Sequence, residues 1–394
     1  MLKVGLIGCG GMGMNLARHC HLLDESKISA VFDIDPAASS RAAQEFGAKE
    51  YGSYRRLLDG DVDAVIVATP NDSHAKITID AAQRGKHVFC EKPMALKLAD
   101  CRAMIRAADE AGVKLMVGQV LRLFPVFWQT KQIVASGKLG EPFAMSVTRL
   151  GGPDALAKGW RATKKQSGGY LYEINVHEID FMRHVMGEAK SVYASVGHFT
   201  DSPVEFEDVA FVQIRYAGGG IGTLHCGGSS SIGKCEMMVQ CKKGTLVNGG
   251  FGGPVRYARF GEEPVTIEAS QIQKEDPYRE EVRSWVEAVT KDAPMLFDGR
   301  DGAAAIEIVD AAYRSARTGR AVSLPLYGRT NLFLRHEEPG YRSTRQKQIL
   351  RRVLNRYFRA MMRITATSAR AARRRSRLGL PGRGARRAGE LRSR

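Results

Sequence analysis

Residues 3–20 read KVGLIGCGGMGMNLARHC: a short apolar run that ends in Gly8-Cys9-Gly10-Gly11-Met12-Gly13 and then passes into a helical pattern. Apolar at consecutive positions, KVGLIG suits a strand buried on both faces. A G-x-G-x-x-G directly after it makes a tight turn, where a pyrophosphate can approach the backbone without meeting a Cβ. The helix that follows offers free N–H groups and a partial positive charge to such phosphates. Asp33 closes the next strand pattern, 20 residues after Gly13, where a carboxylate can accept from both hydroxyls of an adenosine ribose. A 2′-phosphate would face that carboxylate with no arginine before Arg41, so the pattern favours NAD over NADP.

Outward from this turn the texture repeats. Apolar runs at 28–33, 63–69, 86–92 and 114–119 alternate with helical patterns at 11–22, 36–47, 73–84 and 97–112. Strand–helix alternation at this spacing predicts a doubly wound α/β domain over 1–122. After it the pattern predicts a helix at 124–136, then strands at 142–150, 190–199, 207–216, 220–227, 235–241, 244–248 and 254–260, with helices at 168–186, 277–290 and 301–317. Ala217-Gly218-Gly219-Gly220 reads as a hairpin turn. Residues 123–328 are therefore expected to form an α+β domain with a large, mostly antiparallel open sheet, one face covered by helices and the other free for an oligomer partner.

Net charge is +17, which would ordinarily suggest nucleic acid or an anionic surface. Its location answers that. Residues 329–394 hold 20 Lys+Arg against 3 Asp+Glu, and residues 1–328 hold 39 of each. In this tail, 343–364 patterns as a basic amphipathic helix, and the Arg-rich 370–394 reads as disordered. Solvated extension, self-docking, membrane surface and nucleic acid all stay open for it. The seven cysteines are scattered without a C-x-x-C pair, so neither zinc nor a redox dithiol is expected. A strand-like start with no leader pattern, and no apolar run long enough to span a bilayer, make a cytoplasmic protein the expectation.

Two further motifs carry chemistry. Thr69-Pro70-Asn71 with His74, and Glu91-Lys92-Pro93, fall after the third and fourth apolar runs, at strand ends where an open parallel sheet binds its ligands. They are expected to shape the rim of a nicotinamide crevice, with the Lys92 ammonium beside a substrate hydroxyl. His74 reads as a helix-start or packing residue at that rim. In Gly168-Gly169-Tyr170-Leu171-Tyr172-Glu173-Ile174-Asn175-Val176-His177-Glu178-Ile179-Asp180, the predicted helix would place Glu173, His177 and Asp180 on one face, a histidine base between two carboxylates. Phe181 stands where a zincin would need a second histidine, which excludes that metal site.

Together these strings resemble the Gfo/Idh/MocA family of sugar and inositol dehydrogenases, over about residues 1–328. Weaker echoes are Arg122, Trp160-Arg161 and Pro277-Tyr278-Arg279-Glu280-Glu281. The resemblance implies a Rossmann domain, a C-terminal open-sheet domain and dimers or tetramers built through that sheet. It also implies that Lys92 contacts the reacting hydroxyl and that His177 is the general acid/base. Glu173 stands where Asp is commoner, its carboxylate about 1.5 Å further from the backbone. Substrate contacts are then expected from Arg122, Trp160, Arg161, Asn175 and Asp180. The implied reaction oxidises a secondary hydroxyl of a cyclic polyol, sugar or sugar derivative with NAD, or reduces the ketone in reverse. Two alternatives remain at this point: a redox-assisted glycosidase and a non-catalytic dinucleotide-sensing regulator.

Overall fold

A computed structural model describes residues 1–326. The patterns at 343–364 and 370–394 lie outside the described residues. The first sheet holds β1 (Leu2–Ile7), β2 (Ser26–Phe32), β3 (Lys49–Glu50), β4 (Ala64–Val67), β5 (His87–Cys90) and β6 (Leu115–Val117). They are all parallel, in the order β3-β2-β1-β4-β5-β6. Helices α1 (Gly11–His21), α2 (Pro36–Phe46), α3 (Tyr54–Leu58), α4 (His74–Ala82) and α5 (Leu98–Ala111) connect them. Chain order reverses between β1 and β4, which opens a crevice at their C-terminal ends. Two short elements, β3 and α3, go beyond the expected pattern; two and five residues are too few to show a period.

After α6 (Pro125–Ala135) comes a sheet of nine strands. These are β7 (Pro142–Leu150), β8 (Ala189–Gly197), β9 (Val209–Tyr216), β10 (Ile221–Gly227), β11 (Lys234–Cys241), β12 (Gly244–Asn248), β13 (Val255–Arg259), β14 (Val265–Ile267) and β15 (Val322–Ser323). Their order is β14-β13-β12-β11-β7-β10-β9-β8-β15, antiparallel except for the β7–β10 pair. The hairpin falls at Ala217–Gly220, with Gly219 at φ +89°. Along β9, Val212 and Ile214 are buried while Phe211 is exposed, as a sheet covered on one face requires.

Chain after this sheet returns to the first domain. In α10 (Pro277–Lys291), Val282 and Trp285 join the core formed by Leu6, Leu16 and Phe89, and Trp285 meets Phe89 edge-on at 5.8 Å. Among the described residues the last long helix is α11 (Gly299–Thr318), with Ala, Ile and Val on its buried side.

One expected element is corrected. Residues 168–186 are not one helix. Lys164–Ser167 (α7), Tyr170–Glu173 (α8) and Val176–Met186 (α9) are separate pieces. Gly168 (φ +85°) and Gly169 (φ +110°) take conformations open mainly to glycine and end α7. A Cβ on Gly169 would lie 2.4 Å from the Tyr313 hydroxyl oxygen and 3.1 Å from the Glu207 carboxylate. That carboxylate accepts from the Tyr170 and Leu171 amides at 3.0 and 3.4 Å, so it caps α8 from outside. A second break at Ile174-Asn175 then separates Glu173 from the face that carries His177.

Candidate active site

The β1–α1 turn is built to leave room. A Cβ on Gly8 would sit 2.4 Å from Ala68 O, and one on Gly13 only 1.9 Å from Gly8 O, so both glycines serve close packing. Gly10 and Gly11 differ: a Cβ there meets no protein atom within 4 Å, so the space above them is free for a phosphate. Gly10 caps α1 without a side-chain bond, and the first intrahelical bond runs from Met14 N to Gly10 O. The amides of Gly11, Met12 and Gly13 thus precede the ladder, where an anion is favoured. Asp33 sits just past β2, its carboxylate oriented by the Cys9 amide (2.6 Å) and the Asp35 amide (2.9 Å). Turn, helix start and carboxylate fit the diphosphate and adenosine ribose of a dinucleotide.

Two residues expected at the cofactor rim also bind other parts of the protein. Asn71 is buried, and its Nδ2 donates to Glu173 Oε2 (2.7 Å) and Ser167 O (3.0 Å), tying the end of β4 to the second domain. His74 is 1 % exposed, with Nδ1 2.9 Å from Pro93 O and Nε2 2.8 Å from Thr69 O. Both partners are carbonyl oxygens, which only accept, so a neutral ring donates to one of the two proline loops and only an imidazolium to both; burial holds the pKa below the ordinary histidine value, against the pull of the two carbonyls. Asn71 Nδ2 and both ring nitrogens of His74 are thus engaged within the protein. Thr69 is oriented by Ser73, their hydroxyls 2.6 Å apart.

Lys92 and His177 come from different domains. Lys92 Nζ donates to the carbonyl oxygen of Glu173 at 2.6 Å, which sets the ammonium at the junction of α8 and α9. Glu91 is buried beside it, its Oε2 accepting from the Lys92 amide at 2.9 Å; burial pushes its carboxyl up to about 7. His177 is half-buried. Its Nδ1 is enclosed without a hydrogen-bond partner among the described residues, so Nε2 is the ring nitrogen left open. Burial, then the charges of Lys92 and Arg149, hold the imidazole well below its ordinary pKa. The charges that act on this histidine are cations, which corrects the expected carboxylate-flanked base: Glu173 is on another helix, held by Arg161 (3.0 Å) and Asn71.

Arg122 and Asp180, expected to touch substrate, form a buried bidentate pair instead. Nε and Nη2 of Arg122 donate to Asp180 Oδ2 (2.7 Å) and Oδ1 (2.5 Å), and Nη2 also reaches Asp301 at 3.2 Å. Asn175, fully buried, donates to Glu178 Oε2 at 3.0 Å and is likewise turned away from solvent. Trp160 and Arg161 stay accessible, the guanidinium 5.3 Å over the indole. Arg149 and Glu178 escaped the sequence reading. Arg149 sits near the end of β7 with Nη1 3.2 Å from Glu178 Oε1 and its guanidinium 4.7 Å over Phe251. Nothing local marks an arginine in a strand as facing a histidine 28 residues later; only the packing of β7 on α9 joins them. Among the described residues, no group of three or more His, Cys, Asp or Glu could hold a metal, and no helix is long and apolar enough to cross a membrane.

Known proteins share this two-domain fold. Residues 2–119 match the Gfo/Idh/MocA oxidoreductase family's NAD-binding Rossmann fold, and residues 131–324 its C-terminal alpha/beta domain. The 2,7-anhydro-N-acetylneuraminate hydratase of Escherichia coli is 32 % identical over 252 residues, covering 62 % of this chain and 67 % of its own. Inositol 2-dehydrogenase of Rhizobium meliloti is 28 % identical over 348 residues, covering 82 % and 99 %. Among solved structures, the WlbA dehydrogenase of Bordetella pertussis, in complex with NADH and UDP-GlcNAcA, superimposes with a TM-score of 0.74 at 25 % identity, covering 82 % of this chain and 98 % of that one.

Proposed function

Because the chain belongs to the Gfo/Idh/MocA oxidoreductase family and is thus a nicotinamide-dependent enzyme acting on CH–OH groups of sugars or polyols, we propose that it oxidises a ring secondary hydroxyl, with His177 as general acid/base and Lys92 as alkoxide stabiliser. The observation that carries this reading is Lys92 Nζ at 2.6 Å from Glu173 O, which sets a Rossmann-domain cation beside the helix that bears His177. A bound nicotinamide supplies the hydride acceptor. The protein's own residues manage the proton. A neutral His177 takes the hydroxyl proton on Nε2, and the Lys92 ammonium faces the oxygen as negative charge builds there. In reverse, His177 returns the proton to the reduced ketone. Glu173 acts here as a strut: its carboxylate is engaged by Asn71 and Arg161, and its carbonyl aims Lys92.

The test is NADH formation with inositols, free hexoses, glycosides and sugar nucleotides. Silence across that panel would sink the dehydrogenase reading, and aryl-glycoside cleavage without net NADH would replace it by redox-assisted elimination. NAD is the cofactor in this reading, because Asp33 would repel a 2′-phosphate. Asp33→Ser is expected to weaken NAD binding by about tenfold or more, the size of a lost charged hydrogen bond, while NADP gains relative to NAD. Equal wild-type affinity for the two dinucleotides would overturn the preference.

Self-association belongs to the same reading. On the helix-free face of the second sheet, Tyr193, Phe211, Ile221 and Met238 are exposed, with the Phe211 ring stacked on His225 at 4.1 Å. That patch suits a second copy of the chain in a homodimer or homotetramer. Sedimentation of Phe211→Glu should show smaller particles than the wild type; a monomeric wild type would refute the interface.

A further inference from the structure

We propose that the substrate carries an anionic group, a carboxylate or a phosphate, and that Arg149 binds it; this rests on the dehydrogenase reading of the same site. Three cations converge at the reaction centre: Lys92, Arg149 and Arg161. Lys92 is directed at the reacting oxygen. Arg161 is half exposed and engages Glu173 through Nε. Arg149 adds its charge to that of Lys92 on His177, and its donors are incompletely used. Its hydrogen bonds, to Glu178 Oε1 and Cys235 Sγ, both leave from Nη1. Nε and Nη2 have no protein partner among the described residues, and the side chain is 29 % exposed.

The opposing charges do not cancel this excess. Glu173 and Glu178 are each shared with a cation, and each is also held by an amide, of Asn71 and Asn175 respectively. Glu91 is the third carboxyl, buried and with its proton retained up to about pH 7. His177 is neutral. Three permanent cations thus face the carboxyls of Glu173, Glu178 and Glu91, and burial pushes the carboxyls of Glu178 and Glu91 up, so the centre keeps positive charge even though the body as a whole is balanced. An uncharged polyol would leave that charge uncompensated, and leave the Arg149 fork with only water to meet. A carboxylate or phosphate on the sugar matches it in charge and in planar two-point geometry. Glu178 and Asn175 then have a role: buried Glu178 accepts from Nη1 and is itself held by Asn175, which leaves Nε and Nη2 for a ligand.

The experiment compares glucuronate, glucose 6-phosphate, glucose and myo-inositol, as turnover with NAD and as calorimetric binding to the enzyme–NADH complex. The wild type is expected to favour an acidic sugar over a neutral one by about 100-fold in kcat/KM, with the two acids showing whether carboxylate or phosphate fits. Arg149→Gln should reduce that ratio by at least about tenfold, through KM more than kcat. Arg149→Lys keeps the charge beside Glu178 and should fold if the glutamine variant does not; losing the fork, it should still lower the ratio by about fivefold. Equal use of acids and neutral sugars, or an equal loss for both on substitution, would overturn the proposal. The two readings fail separately. Arg149-dependent binding of acids without NADH formation refutes dehydrogenation and retains the anion subsite. Turnover of neutral polyols indifferent to Arg149 does the opposite.

Discussion

Replacing His177 by alanine is expected to lower kcat by about 10²–10⁴-fold, the usual contribution of a positioned general base, while the dissociation constant for NAD stays near that of the wild type. The cofactor cradle and His177 belong to different domains. Lys92→Ala should cost a comparable factor. The double variant should be little worse than either single one, because proton removal and alkoxide stabilisation serve one transition state. Near-normal turnover in either single variant would sink the assignment of roles. The pH dependence supplies an independent check. His177 must be neutral to accept a proton, and burial together with Lys92 and Arg149 disfavours the imidazolium, so its pKa lies well below 6.5. Loss of activity through this group therefore occurs only as pH falls well below that value. Between about pH 6.5 and about pH 8 it should contribute no limb, whereas an unperturbed histidine would give one. A kcat limb centred near 6.5 would contradict this electrostatic picture.

Arg122→Ala is expected to destabilise the fold by about 3–5 kcal/mol, the cost of leaving one member of a buried ion pair uncompensated. Asp180 is fully buried, and Arg122 supplies both of its strong hydrogen bonds. The sign follows from burial: the lone carboxylate would have to take up a proton or draw in water. Urea unfolding followed by fluorescence measures the loss. Arg122→Met with Asp180→Leu should recover most of it, since removing both charges removes the desolvation cost of each. If Arg122→Ala instead kept wild-type stability and raised only the substrate KM, the pair would be a substrate contact after all.

Sequence alone determined the cofactor half of this protein. G-x-G-x-x-G after a buried strand, a carboxylate at the end of the next, and alternating strand and helix periods are local patterns; chain geometry over a few residues dictates each. They correctly gave the parallel sheet, its crevice and the two-layer second domain, because burial on one or both faces leaves its mark on every strand. Lys92 and His177, on which the proposed chemistry rests, stand in distinctive strings. What surrounds them was not. Left-handed glycines at 168 and 169, braced by Glu207 and Tyr313 from distant segments, split the expected helix, and Glu173 and His177 fall on separate pieces. Asn71 and His74 became struts between loops, and Arg122 and Asp180 found each other across 58 residues. Arg149 met Glu178 on another element. Whether a polar side chain faces a ligand or another side chain depends on which partners the fold brings within about 3 Å. That is a property of tertiary packing, which no local period records.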